Sequence, residues 1–397
     1  PRMPRTALVH EWLTDWGGSE DVTRAMLACL PGAKLHATID FLDDRSRQRM
    51  GAANIRTTFL QRMPGVRKRF WHYLPMTPLA VEGHDLRDAE LVVSSSHAFA
   101  KGVITTAEQL HISYVHSPMR YAWDLHFQYL EDYGLQSGLR GLLARWMFQR
   151  LRMWDRQTAN NVDLFLANSH HVRRRIWRAY RRPALVLYPP VDVERFQVGT
   201  DRDETYVTVS RLVSYKRVDL MVEAFRAMPR RRLLVIGDGP EAARLRERCP
   251  SNVTLMGWQP DETVRRHLAS ARAFVFAAHE DFGISPVEAQ ASGTPVIAYG
   301  VGGSAETVRG LGHHEHPTGV WFGQQSVPAL VEAVEQFERS ADQFDPAACR
   351  DWAETFSEAV FRLHFKEIVE KATQAWRRNP SAVEREMCTE PEDVVNC

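Results

Sequence analysis

The chain has 397 residues, 44% hydrophobic and 25% charged, with 23 Gly and 21 Pro that follow no period. This is room for two globular domains, and it excludes collagen-like, low-complexity and largely disordered classes. Net charge is +1, but residues 1–195 carry 27 Lys+Arg against 19 Asp+Glu (+8) and residues 196–397 carry 23 against 30 (−7), so the first half suits an anionic partner.

In chain order, the first half opens with a strand-like run, Thr6–His10. A loop with Gly17-Gly18-Ser19 follows, then a helical pattern from Glu20 to Leu30, stopped by Pro31-Gly32. Ser19 suits an N-cap, and Glu20-Asp21 suit a positive helix start. Strand, Gly loop and helix in that order open a nucleotide-type α/β fold. Further strands are expected at Leu91–Ser94, His111–Val115 and Leu164–Ala167. Tyr188-Pro189-Pro190 and the acidic stretch to Glu204 read as a hinge, and the D-x-D at Asp201-Arg202-Asp203 falls inside it as polar linker.

A second α/β series then starts. Strands are expected at Tyr206–Val209, Arg232–Ile236, Val253–Leu255, Ala273–Phe276 and Pro295–Ala298, with helices between them at Asp219–Met228, Glu241–Arg248, Asp261–Ser270 and Ser285–Ala291. Alternation of this kind predicts parallel sheets with right-handed crossovers. Asp351–Arg378 reads as one long amphipathic helix, and 379–397 as a disordered tail. The expected architecture is two doubly wound Rossmann-like α/β domains, 1–190 and 200–350, with ligands at the C-terminal ends of the strands.

Apolar runs fall far short of the ~18–20 residues of a membrane helix, and Pro1–Thr6 meets Ala7–Val9 without the order of a signal peptide. Five scattered cysteines, Cys29, Cys249, Cys349, Cys388 and Cys397, form no C-x-x-C pair. The expected setting is a reducing cytoplasm, without a disulfide framework or structural zinc.

Three segments at strand ends carry chemistry. Glu280-Asp281-Phe282-Gly283-Ile284-Ser285-Pro286-Val287-Glu288 follows a buried strand and opens a helix. Gly283 permits close backbone approach, Ser285 suits a cap and Pro286 the first turn. The amides of that start are an anion site, and Glu280 and Glu288 offer carboxylates to hydroxyls. In Ser210–Arg217, Arg211 supplies a planar fork and Lys216 a point charge, together enough to neutralise a diphosphate without a metal. Gly237-Asp238-Gly239-Pro240 ends another strand. No G-x-G-x-x-G follows any strand; Gly300–Ala305 comes nearest but lacks the third Gly, which disfavours a dehydrogenase. In the first half, His116 follows a strand within Tyr114–Arg120. Arg62–Tyr73 and Leu139–Arg156 interleave Arg with aromatic and aliphatic residues, a pattern suited to anionic lipid; no nucleic-acid recognition fold is visible.

On these motifs the chain resembles the GT-B-fold, retaining glycosyltransferases of family 4. Glu280–Glu288 matches the family's E-x7-E motif, Ser210–Asp219 its donor-diphosphate loop, Gly237–Pro240 its G-x-G-P turn and Gly17-Gly18 its N-terminal Gly loop. The run His116-Ser117-Pro118-Met119-Arg120-Tyr121-Ala122-Trp123-Asp124 resembles the H-T-P-M-R-Y-x-W-D segment of bacterial polysaccharide mannosyltransferases, with Ser117 for Thr. The resemblance implies that Arg211 and Lys216 hold the donor diphosphate, and that Glu288 binds the ribose. Glu280 would touch sugar hydroxyls, amides of Phe282, Gly283, Ile284 and Ser285 the sugar and phosphate, and His116 the transferred sugar. Gly17 and Gly18 would close on the diphosphate, and Trp258 would approach the base. It also implies a last helix crossing back to the first domain.

The functional expectation is a retaining, metal-independent, cofactor-free hexosyltransferase taking a nucleotide-sugar donor, GDP-mannose by branch resemblance. The acceptor would be a polyprenyl-diphosphate-linked saccharide of surface or exopolysaccharide assembly, at the inner face of the plasma membrane. Alternatives are a UDP-sugar donor, a nucleotide-sugar epimerase, or a non-catalytic nucleotide-sugar-binding protein.

Overall fold

The computed structural model describes residues 4–52 and 54–388. The chain folds as two compact units. Residues up to Pro189 together with those from Phe361 onward form one, and Pro190–Val360 the other.

Among the described residues of the first unit, seven strands form one parallel sheet: β1 (Thr6–Leu13), β2 (Lys34–Asp40), β3 (Ile55–Thr57), β4 (Leu91–Ser96), β5 (Leu110–Val115), β6 (Leu164–Ala167) and β7 (Leu185–Val186). Their order is β3-β2-β1-β4-β5-β6-β7, so the winding reverses between β1 and β4. Both faces are covered, which is why β4 and β5 are buried along their whole length. One face packs Leu8, Leu35, Val93 and Ile112 under the helix Gly18–Cys29 and the C-terminal helix Glu358–Arg378. The other packs Val9 and Val92 with Phe99 and the helix Gly138–Thr158.

The second unit holds, among the described residues, β8 (Thr205–Val209), β9 (Arg232–Ile236), β10 (Val253–Gly257), β11 (Ala273–Phe276), β12 (Val296–Tyr299) and β13 (Gly319–Phe322). They too are parallel, in the order β10-β9-β8-β11-β12-β13, with the reversal between β8 and β11. Both units are therefore doubly wound Rossmann-like α/β domains.

Several expectations need correction. Asp351–Arg378 is two helices, Pro346–Glu354 and Glu358–Arg378. The break falls where the Phe356 carbonyl leaves the helical pattern to accept the Val191 amide at 2.9 Å. The stretch 190–200, read as hinge, belongs to the second unit. Val191, Val193 and Phe196 are buried, and Arg350 Nη1 donates to the carbonyls of Val193, Phe196 and Ala291 at 2.8–3.0 Å. Arg202 of the D-x-D likewise anchors, donating to Thr294 Oγ1 at 2.7 Å and Ala271 O at 2.9 Å. The tail expected to be disordered from 379 instead forms short helices, Pro380–Ala382 and Val383–Met387. Val383 and Cys388 are drawn into the first unit's core; 389–397 lie outside the described residues. No helix among the described residues is long and apolar enough to cross a membrane.

Candidate functional site

In doubly wound sheets the ligand crevice lies beyond the carboxyl ends of the strands where their order reverses. In the second unit that point is shared by the loops after β8, β9 and β11, which carry the three motifs.

After β8, the Ser210–Arg217 loop turns through Val213 N to Arg211 O at 2.9 Å and Lys216 N to Val213 O at 3.1 Å. The Gly237–Pro240 turn after β9 locks onto it, with Leu212 N donating to Asp238 O and Glu241 N to Leu212 O, each at 3.0 Å. Glycine is required there. Gly237 has φ +137°, and a Cβ would stand 1.8 Å from Ser210 O. At Gly239 it would stand 2.5 Å from Leu212 O. The Gly-Asp-Gly-Pro segment is thus the buttress that sets Arg211 and Lys216. Arg211 is exposed and Lys216 half-buried.

The loop after β11 is fixed from two sides. Gln325 Nε2 donates to Ala277 O at 2.7 Å, and Gly303 N donates to Glu280 O at 2.8 Å. Gly303 allows this approach, because a Cβ would meet the Phe282 backbone at 2.3 Å. The Gly300–Ala305 stretch therefore packs behind the Glu280 loop. Phe282 is buried, 5.5 Å ring to ring from Phe356. Gly283, at φ +89°, starts the helix Ile284–Ala291. Ser285, expected as a cap, lies inside the first turn, because the helix already starts at Ile284 behind the left-handed Gly283.

The structure brings Glu280 and Lys216 together as an ion pair, both side chains under one-fifth exposed. Glu288 is paired elsewhere. Its Oε1 accepts from Arg195 Nη2 at 2.7 Å, while Arg195 Nη1 reaches Asp261 at 2.9 Å. Burial works against the Arg195 charge, but Glu288 and Asp261 outweigh it and raise its pKa. Sequence reading missed Arg195 because it lies just past the double proline, in the stretch taken as hinge. Trp258 is 74% exposed after Gly257, which sits at φ +70°.

In the first unit the helix Gly18–Cys29 begins one residue after Gly17, not after Ser19. The Gly17 amide donates to Glu20 Oε2 at 2.9 Å and Ser19 Oγ to the same oxygen at 3.0 Å. Glu20 Oε1 lies 3.1 Å from His10 Nε2. Burial would raise the Glu20 pKa; its hydrogen bonds, that to His10 first and that to Ser19 with it, overcome this and hold it at about 2. His116 follows β5, with Nε2 2.8 Å from Ser95 Oγ and its ring 5.1 Å from that of Tyr114. Burial pushes the neighbouring His97 pKa down. The rest of the His116–Asp124 segment is tied into its own unit. Arg175 donates to Ser117 Oγ at 2.8 Å and pairs with Asp124, and Trp123 Nε1 donates to Asp155 at 2.8 Å. His10 and Ser95 were not singled out in the sequence, and Glu20 only as part of a helix start; the link between His10 and Ser95 is spatial, arising from register between β1 and β4.

These arrangements offer cations and glycine-flanked backbone to phosphate, and carboxylates to hydroxyls. Residues 191–354, nearly the whole second unit, match the family model described as "Glycosyl transferases group 1". A GDP-mannose-dependent alpha-(1-6)-phosphatidylinositol monomannoside mannosyltransferase of Mycobacterium tuberculosis is 29% identical over 230 residues, covering 50% of this chain and 58% of that protein. A D-inositol 3-phosphate glycosyltransferase of Corynebacterium aurimucosum is 26% identical over 254 residues, 55% of this chain and 59% of that one. The chain thus spans under two-thirds of the length of these relatives.

Solved structures resemble it over almost its whole length. Anabaena HepE, solved with UDP and glucose, covers 92% of this chain and 99% of its own at TM-score 0.66 and 16% identity. A sucrose-phosphate synthase from Thermosynechococcus elongatus covers 94% and 100% at TM-score 0.68 and 16% identity. At such identity they establish the fold: two Rossmann-like α/β domains, as expected from the sequence.

Proposed function

We propose that the protein is a retaining glycosyltransferase of the family 4 kind. In this reading it moves a hexose, mannose from GDP-mannose, to a polyprenyl-diphosphate-linked saccharide in surface polysaccharide assembly. The observation that carries the reading is the loop cluster at the β8/β11 reversal. There Lys216, Arg211 and Glu280 stand on glycine-buttressed loops, and Glu288 on the helix Ile284–Ala291, within the segment that matches the group 1 glycosyltransferases. The mannosyltransferase relative supports the donor choice.

In this reading Arg211 and Lys216 bind the diphosphate and stabilise the charge that develops on it as the sugar–phosphate bond breaks, in place of a metal. The amides of Phe282, Gly283, Ile284 and Ser285 take the phosphate and sugar. Glu280 accepts from sugar hydroxyls and Glu288 from the ribose. Lys216 must leave Glu280 in part when donor arrives, so the ion pair keeps both groups ordered beforehand. The same reading gives Gly17 and Gly18 to the donor diphosphate and His116 to the transferred sugar.

The membrane side of the proposal rests on exposed side chains of the first unit. Leu139, Leu142, Leu143 and Trp146 stand out from the helix Gly138–Thr158, each more than half exposed, among Arg140, Arg145 and Arg150. Trp71 is 62% exposed beside Arg67, Lys68 and Arg69. An anionic bilayer at the cytoplasmic face would take both. Charge reversal at Arg67, Lys68 and Arg69 must then weaken liposome binding.

The test of the donor is thermal stability with GDP, UDP, ADP, CMP and NAD in turn, with EDTA throughout. A ligand at 100 times its Kd adds about 2.7 kcal/mol to the native state. A selective rise with GDP supports the mannosyl donor. A rise with UDP alone moves the donor to a UDP-sugar, and a rise with NAD alone overturns the transferase. Donor incubated without acceptor separates an epimerase, which would convert the sugar.

A further inference from the structure

His10, Glu20 and Ser95 belong to none of the sequence motifs, yet an unbroken hydrogen-bonded chain joins them to His116. Glu20 Oε1 is 3.1 Å from His10 Nε2, His10 Nδ1 is 3.1 Å from Ser95 Oγ, and Ser95 Oγ is 2.8 Å from His116 Nε2. The sheet sets the spacing, because His10 on β1 lies directly opposite Ser95 on β4. His10, Ser95 and the adjacent Thr23 are fully buried and Glu20 nearly so, so water does not compete for these protons.

We propose that Glu20, His10 and Ser95 are positioning residues that fix His116 in one tautomer, with its proton on Nε2. The direction follows from counting protons. A carboxylate only accepts, so His10 Nε2 donates to Glu20. In this proposal His10 is the neutral ring, whose Nδ1 is then an acceptor. Thr23 Oγ1 also lies 3.1 Å from that nitrogen and 3.1 Å from Ser95 Oγ, but its shortest acceptor is Ser19 O, one helical turn back at 2.9 Å, and in this proposal its proton goes to that carbonyl. The Ser95 hydroxyl is the donor left for Nδ1. Having given its single proton to His10, Ser95 can only accept from His116, which must therefore carry N–H at Nε2. Glu20 is held ionised by the same contacts, and its other oxygen takes the Gly17 amide. The glycine loop and the His116 ring are thus ordered by one carboxylate. The value of that order for sugar transfer rests on the function proposed above; the tautomer itself does not.

The test is long-range proton–nitrogen NMR of the full chain with nitrogen-15-labelled imidazoles at neutral pH, without donor or acceptor. The His116 signals are assigned by their loss in His116→Gln. The expected wild-type pattern is a protonated Nε2. Glu20→Gln should reverse the chain. The Gly17 amide and Ser19 hydroxyl hold the new carboxamide oxygen, its NH2 faces His10 Nε2, and the proton of His116 moves to Nδ1. Ser95→Ala should leave a mixture of tautomers, and Thr23→Val should leave the wild-type pattern. A wild-type His116 protonated on Nδ1 overturns the proposal. So does a pattern unchanged in both Glu20→Gln and Ser95→Ala when their circular dichroism matches wild type. Should Glu20→Gln fail to fold, Ser95→Ala decides alone. A failed donor-binding test with the expected tautomers would sink the transferase reading and leave the relay standing.

Discussion

Arg195 grips Glu288 at 2.7 Å and Asp261 at 2.9 Å, so the carboxylate assigned to the donor ribose is oriented by a side chain outside every sequence motif. If Glu288 holds ribose, Arg195 acts on binding rather than on the chemical step. Arg195→Ala should raise the donor KM roughly tenfold, the loss of one charge-assisted hydrogen bond of about 1.4 kcal/mol, with kcat within a few-fold. Steady-state kinetics with varied donor reads this. An unchanged KM with a fallen kcat would show that Arg195 serves the transition state instead.

Lys216 and Glu280 form an ion pair. Lys216→Ala should cost about 10²–10³ in kcat, the scale of one lost charge-stabilising group at a reacting centre. Glu280→Gln should keep the fold and also lose turnover, whereas a non-catalytic nucleotide-sugar-binding protein would keep its function in Glu280→Ala. Turnover measured beside circular dichroism separates loss of chemistry from loss of structure.

The sheet plan was legible because a parallel strand buried on both faces is a short apolar run. β6, β9 and β11 stand where Leu164–Ala167, Arg232–Ile236 and Ala273–Phe276 were expected. β2 escaped because its sequence alternates, Lys34-Leu35-His36-Ala37-Thr38-Ile39, and its polar members His36 and Thr38 are buried all the same. The loop motifs were legible because glycine between a strand and a helix is a backbone requirement, as at Gly237 and Gly283. Arg195 and the Glu20–His10–Ser95 chain were not. They are assembled by strand register and by a turn after a double proline, relationships such as His10 with Ser95 and Arg195 with Glu288, 85 and 93 residues apart.

His36 and His84 predict an acid-sensitive first unit. Their rings are 5.2 Å apart, and burial pushes the pKa of His36 down to about 4 and that of His84 to about 3. For His36, nearby Arg56 and Lys34 add to the effect. Below pH 6.5 the unfolded chain binds protons that the folded ring refuses, so this stability is present above 6.5 and lost as pH falls towards 4. For one ring the full loss is about 3 kcal/mol. His84→Phe should flatten part of the slope of unfolding free energy between pH 6.5 and 4. An equal slope in both proteins would rule the pair out as the cause.

Lys101 and Asp155 are both almost completely buried, with Nζ 2.6 Å from Oδ1. Lys101 also donates to the Asp155 carbonyl at 2.8 Å and to Thr158 Oγ1 at 3.0 Å. Asp155 accepts from Trp123 Nε1 and from Tyr180 OH. Trp123 lies in the same segment as His116, so this carboxylate anchors that segment to the helix Gly138–Thr158. Removing only the cation leaves a buried carboxylate with two neutral donors and no counter-charge. Lys101→Met should therefore destabilise the protein by about 3–5 kcal/mol. Adding Asp155→Asn removes the stranded charge, so the double variant should be more stable than the sum of the two single changes implies. Denaturant unfolding of the four proteins of the cycle measures both. A Lys101→Met cost below about 1 kcal/mol would mean that Trp123 and Tyr180, not the charge of Lys101, hold Asp155 in place.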